Sequence, residues 1–437
     1  MSWNSLHLKD LLVKIAKHVL RKSVFNMRLV CSAWNNYLKP YTRGFVKPIK
    51  SIEDYEIAKQ YKMTNLIFYI SCSEIEFPDY IRVLSLPAGI AKRYPRNLQC
   101  LQCDTNDDFD LNSLNCKPNM LWITAPQIIG NPMPCVSKLS IKTSTINFDL
   151  FPNLIQLRLT VDSAPTGTLP KSLKSLFIVL EDNAYLTLDL PEDLESLQCI
   201  FGIIQLDRVP KGIKQLEGKM FQNTQNHLNF LRFSKLTHLR CRSDQPFDCA
   251  LISPNITNLD LSINSIINIE FLRHLSCLTK LSLNIKSQNL LVLDLLPPSL
   301  NSLRLVNGNF TVDLTNSSIK SLSIARQTHV SLKGKLPQTL TYLSVSDEFI
   351  SKYTAVHKIH NIVGVRIGIR QDFDLSCLND STIDKLNIYG NKFSDTKLIL
   401  DNIKNLSVKY FEYHLKSPLD QEELLSRIPS IKDIRIR

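Results

Sequence analysis

One short pattern recurs along most of this 437-residue chain and constrains its fold more than any other feature. The pattern is L-x-x-L-x-L, with other apolar residues accepted at its fixed positions, and it fits nineteen times with a mean spacing of about 20 residues. Leucine fills the fourth position in seventeen copies, far above its background frequency of about one in ten, which indicates an array of repeated units. The copies begin at residues 63, 81, 98, 118, 136, 154, 173, 194, 213, 236, 256, 278, 300, 319, 340, 362, 383, 403 and 431.

Each copy predicts one short β-strand. Side chains alternate along a strand, so the fourth and sixth positions point to one side and the third and fifth positions to the other. A unit of this size cannot bury its leucine face alone, but stacked parallel strands would bury a continuous apolar row. The sequence therefore predicts an α/β solenoid over residues 63–437, with a parallel sheet along its concave side.

Eleven copies have a proline two or three residues before the first position, as in LPKSLKSLFI (169–178), and we expect it to hold the chain extended ahead of the strand. These LPxxLxxLxL units resemble leucine-rich repeats of a short type, and the resemblance covers residues 63–437. The asparagine that the family places in the ninth position stands only at Asn106, Asn264 and Asn391. We therefore expect uneven loops rather than a regular asparagine ladder.

Two helices are predicted beside the repeats. Residues 46–62 are expected to form a linker helix, because Ser51 and Asp54 have the spacing of a capping box. Near the end of the chain, SPLDQEELLSRI (417–428) combines a Ser-Pro start, early acidic residues and apolar positions. This combination predicts a closing helix, followed by a last strand.

Residues 1–45 do not repeat and predict a small helical module. LHLKDLLVKIAKHVL places apolar residues on one helical stripe, and SVFNMRLVCSAWNNYL adds a second set at helical spacing. The segment contains eight Lys or Arg against one acidic residue, a net +7 of the chain's +12, so residues 46–437 contribute only +5. Such a small basic unit needs a partner surface, either the repeat array or another protein.

KDLLVKI followed by V-x5-VC-x2-W resembles the F-box, over residues 6–45. The resemblance implies docking on the SKP-family adaptor, and through it a cullin, in a cullin–RING ubiquitin ligase. The Leu-Pro pair that usually opens an F-box is replaced here by His7 and Leu8. The residues that match the adaptor-binding signature are Leu11, Leu12, Ile15, Val24, Leu29, Val30, Cys31 and Trp34.

Two alternatives stay open, one for residues 1–45, which we call the head, and one for the repeat array of residues 63–437. The head could be only the N-terminal cap of the solenoid, since repeat arrays need polar ends. The array could be an interaction scaffold or a nucleic-acid binder with no ubiquitin link, although its small net charge and its lack of alternating aromatic and basic clusters disfavour nucleic acid. We expect a monomer apart from its complex.

Several sequence features argue against a membrane or secreted protein and against an enzyme. The first ten residues lack the pattern of a signal peptide, so we expect a cytoplasmic or nuclear protein. The uncharged window 118–137 has the length of a membrane span, but its four prolines and one glycine predict loops and strands. No phosphate-binding glycine loop and no hydrolase or zinc-protease motif occurs, so we expect no enzymatic activity and no cofactor.

Neither short cysteine nor short histidine motif predicts a metal site. In CLQC, Cys103 takes a core position and Cys100 points outward, because residues three apart on a strand face opposite sides. His357 and His360 have no second ligand pair nearby, and we expect a surface loop.

The outward third and fifth positions are the candidate target-binding residues, because tryptophan, tyrosine and arginine are the usual anchors of protein interfaces. Trp122 is the strongest candidate, since an exposed tryptophan on a strand suggests a binding role. The full set is Met120, Trp122, Arg158, Phe177, Arg240, Arg304, Tyr342 and Arg366.

Overall fold

The copies of the repeat form strands of parallel sheet in the structure, a computed structural model of the chain. The chain divides into an N-terminal unit, residues 1–202, and a C-terminal unit, residues 203–437. The F-box-like segment 1–45 lies outside the described residues. The structure describes residues 46–60, 62–69, 75–87, 91–143, 146–161, 168–221, 228–287, 289–325, 328–354, 362–369, 372–390, 397–414 and 421–436.

The described part of the N-terminal unit contains one helix, α1 (Ile52–Gln60), and two 3-10 turns, Leu111–Ser113 and Phe148–Leu150. Its strands are β1 (Val46–Ile49), β2 (Asn65–Phe68), β3 (Ile75–Glu76), β4 (Val83–Pro87), β5 (Ala91–Arg93), β6 (Cys100–Asp104), β7 (Phe109–Asp110), β8 (Met120–Thr124), β9 (Ile128–Ile129), β10 (Lys138–Lys142), β11 (Gln156–Thr160), β12 (Ser175–Val179) and β13 (Ser196–Gln205), the last of which contains the boundary. The main parallel sheet has the order β1-β2-β4-β6-β8-β10-β11-β12-β13, and β3–β5 and β7–β9 form separate parallel pairs.

The described part of the C-terminal unit contains two helices, α2 (Asp347–Thr354) and α3 (Gln421–Arg427), and 3-10 turns at Leu206–Arg208, Cys249–Leu251, Ile269–His274 and Leu375–Leu378. Its strands are β14 (Gln215–Phe221), β15 (His238–Ser243), β16 (Phe247–Asp248), β17 (Asn258–Ile263), β18 (Ile266–Ile267), β19 (Lys280–Ile285), β20 (Leu290–Leu293), β21 (Ser302–Val306), β22 (Asn309–Asp313), β23 (Ser321–Ile324), β24 (His329–Lys333), β25 (Tyr342–Ser346), β26 (Ile362–Gly368), β27 (Phe373–Asp374), β28 (Thr382–Tyr389), β29 (Leu398–Ile399), β30 (Ser407–His414) and β31 (Asp433–Ile436). The main parallel sheet has the order β14-β15-β17-β19-β21-β23-β25-β26-β28-β30-β31.

The core of each unit is built from the first, fourth and sixth repeat positions. In the N-terminal unit Leu121, Leu139 and Leu157 are register partners on β8, β10 and β11, and all three are buried. Leu281 and Leu303 form the same kind of row on β19 and β21 of the C-terminal unit. Burial of each such side chain contributes roughly 1.5–3 kcal/mol before the entropic cost of folding. The α/β leucine-rich-repeat solenoid predicted from the pattern is the fold observed.

The prolines ahead of the strands have a different role from the one predicted. In LPKSLKSLFI the amide of Leu173 donates to the carbonyl of Pro170, at 3.0 Å, and the amides of Leu194 and Leu300 bond in the same way to Pro191 and Pro297. A hydrogen bond from an amide to the carbonyl three residues earlier is the bond that closes a β-turn. The proline therefore begins a turn that leads into the strand, and the expectation of an extended approach was wrong.

One repeat was placed in the wrong register. The pattern puts the eighteenth copy at residue 403, with Leu406 in the fourth position. In the structure, Leu386 of β28 pairs instead with Phe411 of β30, so this copy begins at Val408. Phe411 and Tyr413 are the buried aromatic side chains of the strand, in the fourth and sixth positions of this copy. Aromatic residues in the leucine positions concealed this copy.

The segment 46–62 contains a strand in addition to the predicted helix. β1 pairs with β2 in parallel and adds a strand ahead of the first copy of the pattern. Ser51 caps the start of α1: its Oγ accepts from the amide of Asp54 at 3.2 Å, and Asp54 Oδ2 accepts from the amide of Lys50, the residue before the cap, at 3.0 Å. The helix is thus confirmed over Ile52–Gln60, but not across the whole segment.

The closing helix and last strand are α3 and β31. Of the apolar positions in the predicted helix, Leu424 and Ile428 are buried, whereas Leu425 is exposed. The window 118–137 contains strands β8 and β9, as the prolines predicted. Within the described ranges, no helix has both the length and the apolar character needed to cross a bilayer.

Candidate protein-interaction face

The outward side of each main sheet consists of the third and fifth repeat positions, arranged in rows. In the N-terminal unit the fifth positions of neighbouring strands are direct register partners, so that Gln102, Trp122, Ser140, Arg158 and Phe177 follow one another across β6, β8, β10, β11 and β12. Parallel strands are spaced by about 4.8 Å, so one row presents a side chain at each such step. We call these rows the third-position and fifth-position rows.

Trp122 is an exposed aromatic side chain in the fifth-position row of the N-terminal unit. It is 47% exposed, whereas its strand neighbours Leu121 and Ile123 are buried. Its register partners in the fifth-position row, Gln102 and Ser140, are smaller polar residues. A large apolar side chain held in the middle of a sheet without cover is a feature of binding surfaces.

Cations lie between Trp122 and Phe177. The guanidinium carbon of Arg158 lies 4.3 Å from the centre of the Phe177 ring, a cation–π contact. Lys138 and Lys142 occupy the third and seventh positions of β10 on the same side of the sheet and are exposed. Among the described residues no carboxylate pairs with any of these three cations. We call the set Met120, Trp122, Lys138, Lys142, Arg158 and Phe177 the Trp122 face.

Some of the charges on the outward rows of the C-terminal unit are paired with one another. Arg240 bridges two register partners, with Nη1 at 3.0 Å from Glu217 Oε1 and Nε at 3.0 Å from Asp260 Oδ2. The arrangement extends across three adjacent strands, β14, β15 and β17. The charge of Arg240 is therefore largely satisfied within the chain.

A second charged cluster surrounds Glu412, whose side chain is largely buried. Its Oε2 lies 3.0 Å from Lys385 Nζ and accepts from Asn387 Nδ2 at 3.1 Å, while Oε1 lies 3.2 Å from His414 Nε2. Glu412 is only 7% exposed, and a buried carboxylate is tolerated when such partners compensate for its lost hydration. Nearby, Lys409 and Asp384 pair at 2.7 Å, and this contact raises the pKa of Lys409.

The remaining candidates of the C-terminal unit lie singly on the sheet. Tyr342 is register partner to Gly364, and a Cβ on that glycine would lie 3.0 Å from Tyr342 Cδ2, so the absence of a side chain leaves room for the ring. Arg366 stacks on Tyr389, with its guanidinium carbon 4.2 Å from the ring centre. Arg304 is exposed between Ser282 and Ser323.

All eight predicted target-binding residues therefore lie on outward positions, but they do not form one cluster. Met120, Trp122, Arg158 and Phe177 share neighbouring strands of the N-terminal unit; Arg240, Arg304, Tyr342 and Arg366 are spread over the C-terminal unit. Sequence reasoning missed Lys138 and Lys142, because it did not weigh the charge of the rows, and missed exposed Tyr410 because of the register error in β30. The predicted adaptor-binding residues, Leu11 to Trp34, lie outside the described residues.

The cysteines of the repeat strands are poor candidates for a reactive site. Cys103 is buried and Cys100 is partly exposed, as the strand alternation predicted. Burial raises the pKa of the Cys103 and Cys199 thiols to about 12, and burial also raises the pKa of Cys100. Thiols with such raised pKa values are poor nucleophiles at neutral pH. In the described ranges no group of three or more His, Cys, Asp or Glu could hold a metal ion.

Comparison with known proteins gives structural similarity only. No protein-family model matches the chain, and no curated protein matches it. Among solved structures, CroV588, described as a novel circular LRR protein, aligns with a TM-score of 0.47 and 18% identity over 86% of this chain. A plant peptide hormone receptor, RGFR1 in complex with RGF2, aligns with a TM-score of 0.34 and 15% identity over 86% of this chain and 84% of that one. This chain spans 66% of the CroV588 chain.

Proposed function

We propose that this protein is a non-catalytic substrate receptor of a cullin–RING ubiquitin ligase in the cytoplasm or nucleus. In this proposal residues 6–45 bind the SKP-family adaptor, and through it a cullin. The outward rows of the repeats bind a target protein. The chain holds two proteins together and performs no chemistry itself.

The observation that supports target binding is the exposure of Trp122 beside the Arg158–Phe177 pair. These side chains project from strands whose inward residues are fully buried, so the sheet holds them in fixed positions. A preorganised anchor loses little conformational entropy when a partner binds. The proposal therefore places the main target contact on the Trp122 face.

Support for adaptor binding comes from the sequence. Leu11, Leu12, Val30 and Trp34 match the apolar signature of the F-box, and the excess of Lys and Arg around them suits an acidic adaptor. Since the repeats have a core of their own, head and array are expected to have separable duties.

The proposal can be tested with full-length protein in two parallel assays. In the first, a purified SKP-family adaptor is titrated at low salt against wild type, a Leu11→Ala/Trp34→Ala variant and a chain lacking residues 1–45. In the second, co-purifying proteins are identified by mass spectrometry for wild type and for a Trp122→Ala/Phe177→Ala variant. Circular dichroism of each variant checks that the repeats stay folded.

We expect the head variants to lose at least tenfold in adaptor affinity and to keep the co-purifying target, because hot-spot residues dominate such contacts. The Trp122→Ala/Phe177→Ala variant should lose the target, bind the adaptor normally and keep its thermal stability. If wild type does not bind the adaptor and the chain without residues 1–45 aggregates, the head is a solenoid cap and the ligase proposal is wrong. The array would then be an interaction scaffold without a ubiquitin link.

A further inference from the structure

We propose that the Trp122 face binds an extended acidic peptide segment with two large apolar side chains four residues apart. This inference rests on the proposed target-binding role of the repeats and names the kind of target segment that the surface fits. It does not depend on the adaptor. Three features of the face lead to it: its uncompensated charge, the spacing of its aromatic residues and its limited length.

The positive charge of the Trp122 face favours a ligand that carries carboxylates. Lys138, Lys142 and Arg158 are exposed cations on two adjacent strands, and no described acidic side chain pairs with them. In the C-terminal unit, by contrast, Arg240 and Lys385 already have carboxylate partners at 3.0 Å. An acidic ligand on the Trp122 face would gain charge-assisted contacts without breaking existing ion pairs.

The spacing of the aromatic residues sets the pattern of the ligand. Trp122 and Phe177 occupy the same row, three strands apart, which places their backbones about 14 Å from each other. An extended peptide advances about 3.4 Å per residue and turns every second side chain to the same side. Residues i and i+4 of a peptide crossing the strands would therefore reach Trp122 and Phe177. Residue i+2 would face the cations between them.

The limited length of the basic patch favours a short peptide over a nucleic acid. The seventh-position row that contains Lys142 also contains Asp104, two strands away, so the charge of the surface reverses there. Exposed Asp107 and Asp108 follow Asp104 in the loop after β6. A polynucleotide has a negative phosphate at every nucleotide, so a long one would be repelled by these carboxylates. A five-residue peptide that spans Trp122 to Phe177 ends before it reaches them. Single-stranded nucleic-acid sites generally need a basic groove of several nucleotides.

The test uses full-length protein and a fluorescein-labelled, end-blocked peptide, Leu-Glu-Asp-Glu-Leu, with binding measured by fluorescence anisotropy. Two peptides serve as matched controls: Leu-Lys-Lys-Lys-Leu reverses the charge, and Leu-Glu-Asp-Leu-Glu turns the leucines to opposite sides. The protein variants are Trp122→Ala, Arg158→Ala and, as a control, Arg242→Ala, an exposed seventh-position arginine of the C-terminal unit. A twelve-nucleotide oligothymidylate is used as competitor.

We expect Trp122→Ala to weaken binding of the acidic peptide about tenfold, Arg158→Ala to weaken it severalfold, and Arg242→Ala to change it less than twofold. Both control peptides should bind at least tenfold more weakly. The inference is overturned if the lysine peptide binds as tightly, if Arg242→Ala has as large an effect as Arg158→Ala, or if oligothymidylate displaces the peptide at a lower concentration than unlabelled peptide does. If no peptide binds but Trp122→Ala/Phe177→Ala still abolishes target co-purification, this inference fails and the target-binding function stands.

Discussion

The N-terminal and C-terminal units have similar interiors but different outward surfaces. In both units leucines in the fourth position form buried rows in parallel register. On the outward side, the N-terminal unit presents Trp122 and three cations without acidic partners among its described residues, whereas Arg240 and Glu412 of the C-terminal unit belong to ion-pair clusters. Side-chain alternation on a strand allows the two sides to vary independently. One repeat pattern therefore supports outward surfaces with paired charges and outward surfaces with unpaired ones.

The first prediction concerns the shared interior and has the largest expected effect. Leu157→Ala in the N-terminal unit and Leu303→Ala in the C-terminal unit should each lower the free energy of unfolding of their unit by about 2–5 kcal/mol, because each leaves a cavity in a continuous row. Denaturant titration followed by circular dichroism measures the loss. Arg304→Ala, next to Leu303 but outward, should cost less than about 0.5 kcal/mol. Very unequal losses at Leu157 and Leu303 would show that the interiors are not equivalent.

The interior was the most predictable part of this fold from sequence. A strand of alternating leucines has one arrangement in which its apolar side is buried, so position in the pattern decided burial for residues such as Leu121 and Cys103. The pattern failed where other residues replace leucine. Phe411 and Tyr413 fill the core of β30, and the apolar pair Leu406 and Val408 five residues earlier fitted the template equally well.

The outward rows were less predictable because their properties depend on neighbours distant in sequence. Position in the pattern identified Trp122 and Arg240 as outward residues. It could not show that Arg240 is held between Glu217 and Asp260, since that depends on the register of three strands. Helix α2 (Asp347–Thr354) was also missed, because it lies between two copies of the pattern and has no repeat signature.

The second prediction tests whether the C-terminal unit uses its outward charges for stability. Glu412→Gln should lower the free energy of unfolding by about 1–3 kcal/mol, because it removes a largely buried carboxylate from its contacts with Lys385 Nζ and His414 Nε2. Chemical denaturation at neutral pH measures the effect. Arg158→Ala on the N-terminal unit should change stability by less than about 0.5 kcal/mol. If the two substitutions cost the same, the contrast between the surfaces does not extend to energetics.

The third prediction compares the outward charges of the two units by the pH dependence of stability, and it has the smallest expected effect. Asp244 lies 3.1 Å from Lys219 Nζ and 3.4 Å from Lys286 Nζ, and the hydrogen bond from Lys219 holds the pKa of the Asp244 carboxyl below its usual value. A lowered folded-state pKa stabilises the protein above the unfolded pKa, and that contribution is lost as pH falls through the folded value. Because the side chain of Asp244 is 59% exposed and screened by solvent, the contribution should stay below about 1 kcal/mol. Wild type should therefore be slightly more stable than Asp244→Asn at pH 7, by an amount that shrinks as the pH approaches 3 and as salt is added.

Lys142→Ala of the N-terminal unit is the matched control: Lys142 has no described carboxylate partner, so the effect of this substitution on stability should not change over the same pH range. A pH-dependent effect of Lys142→Ala would show that the cations of the Trp122 face are compensated within the chain after all, and would weaken the case for an acidic ligand there.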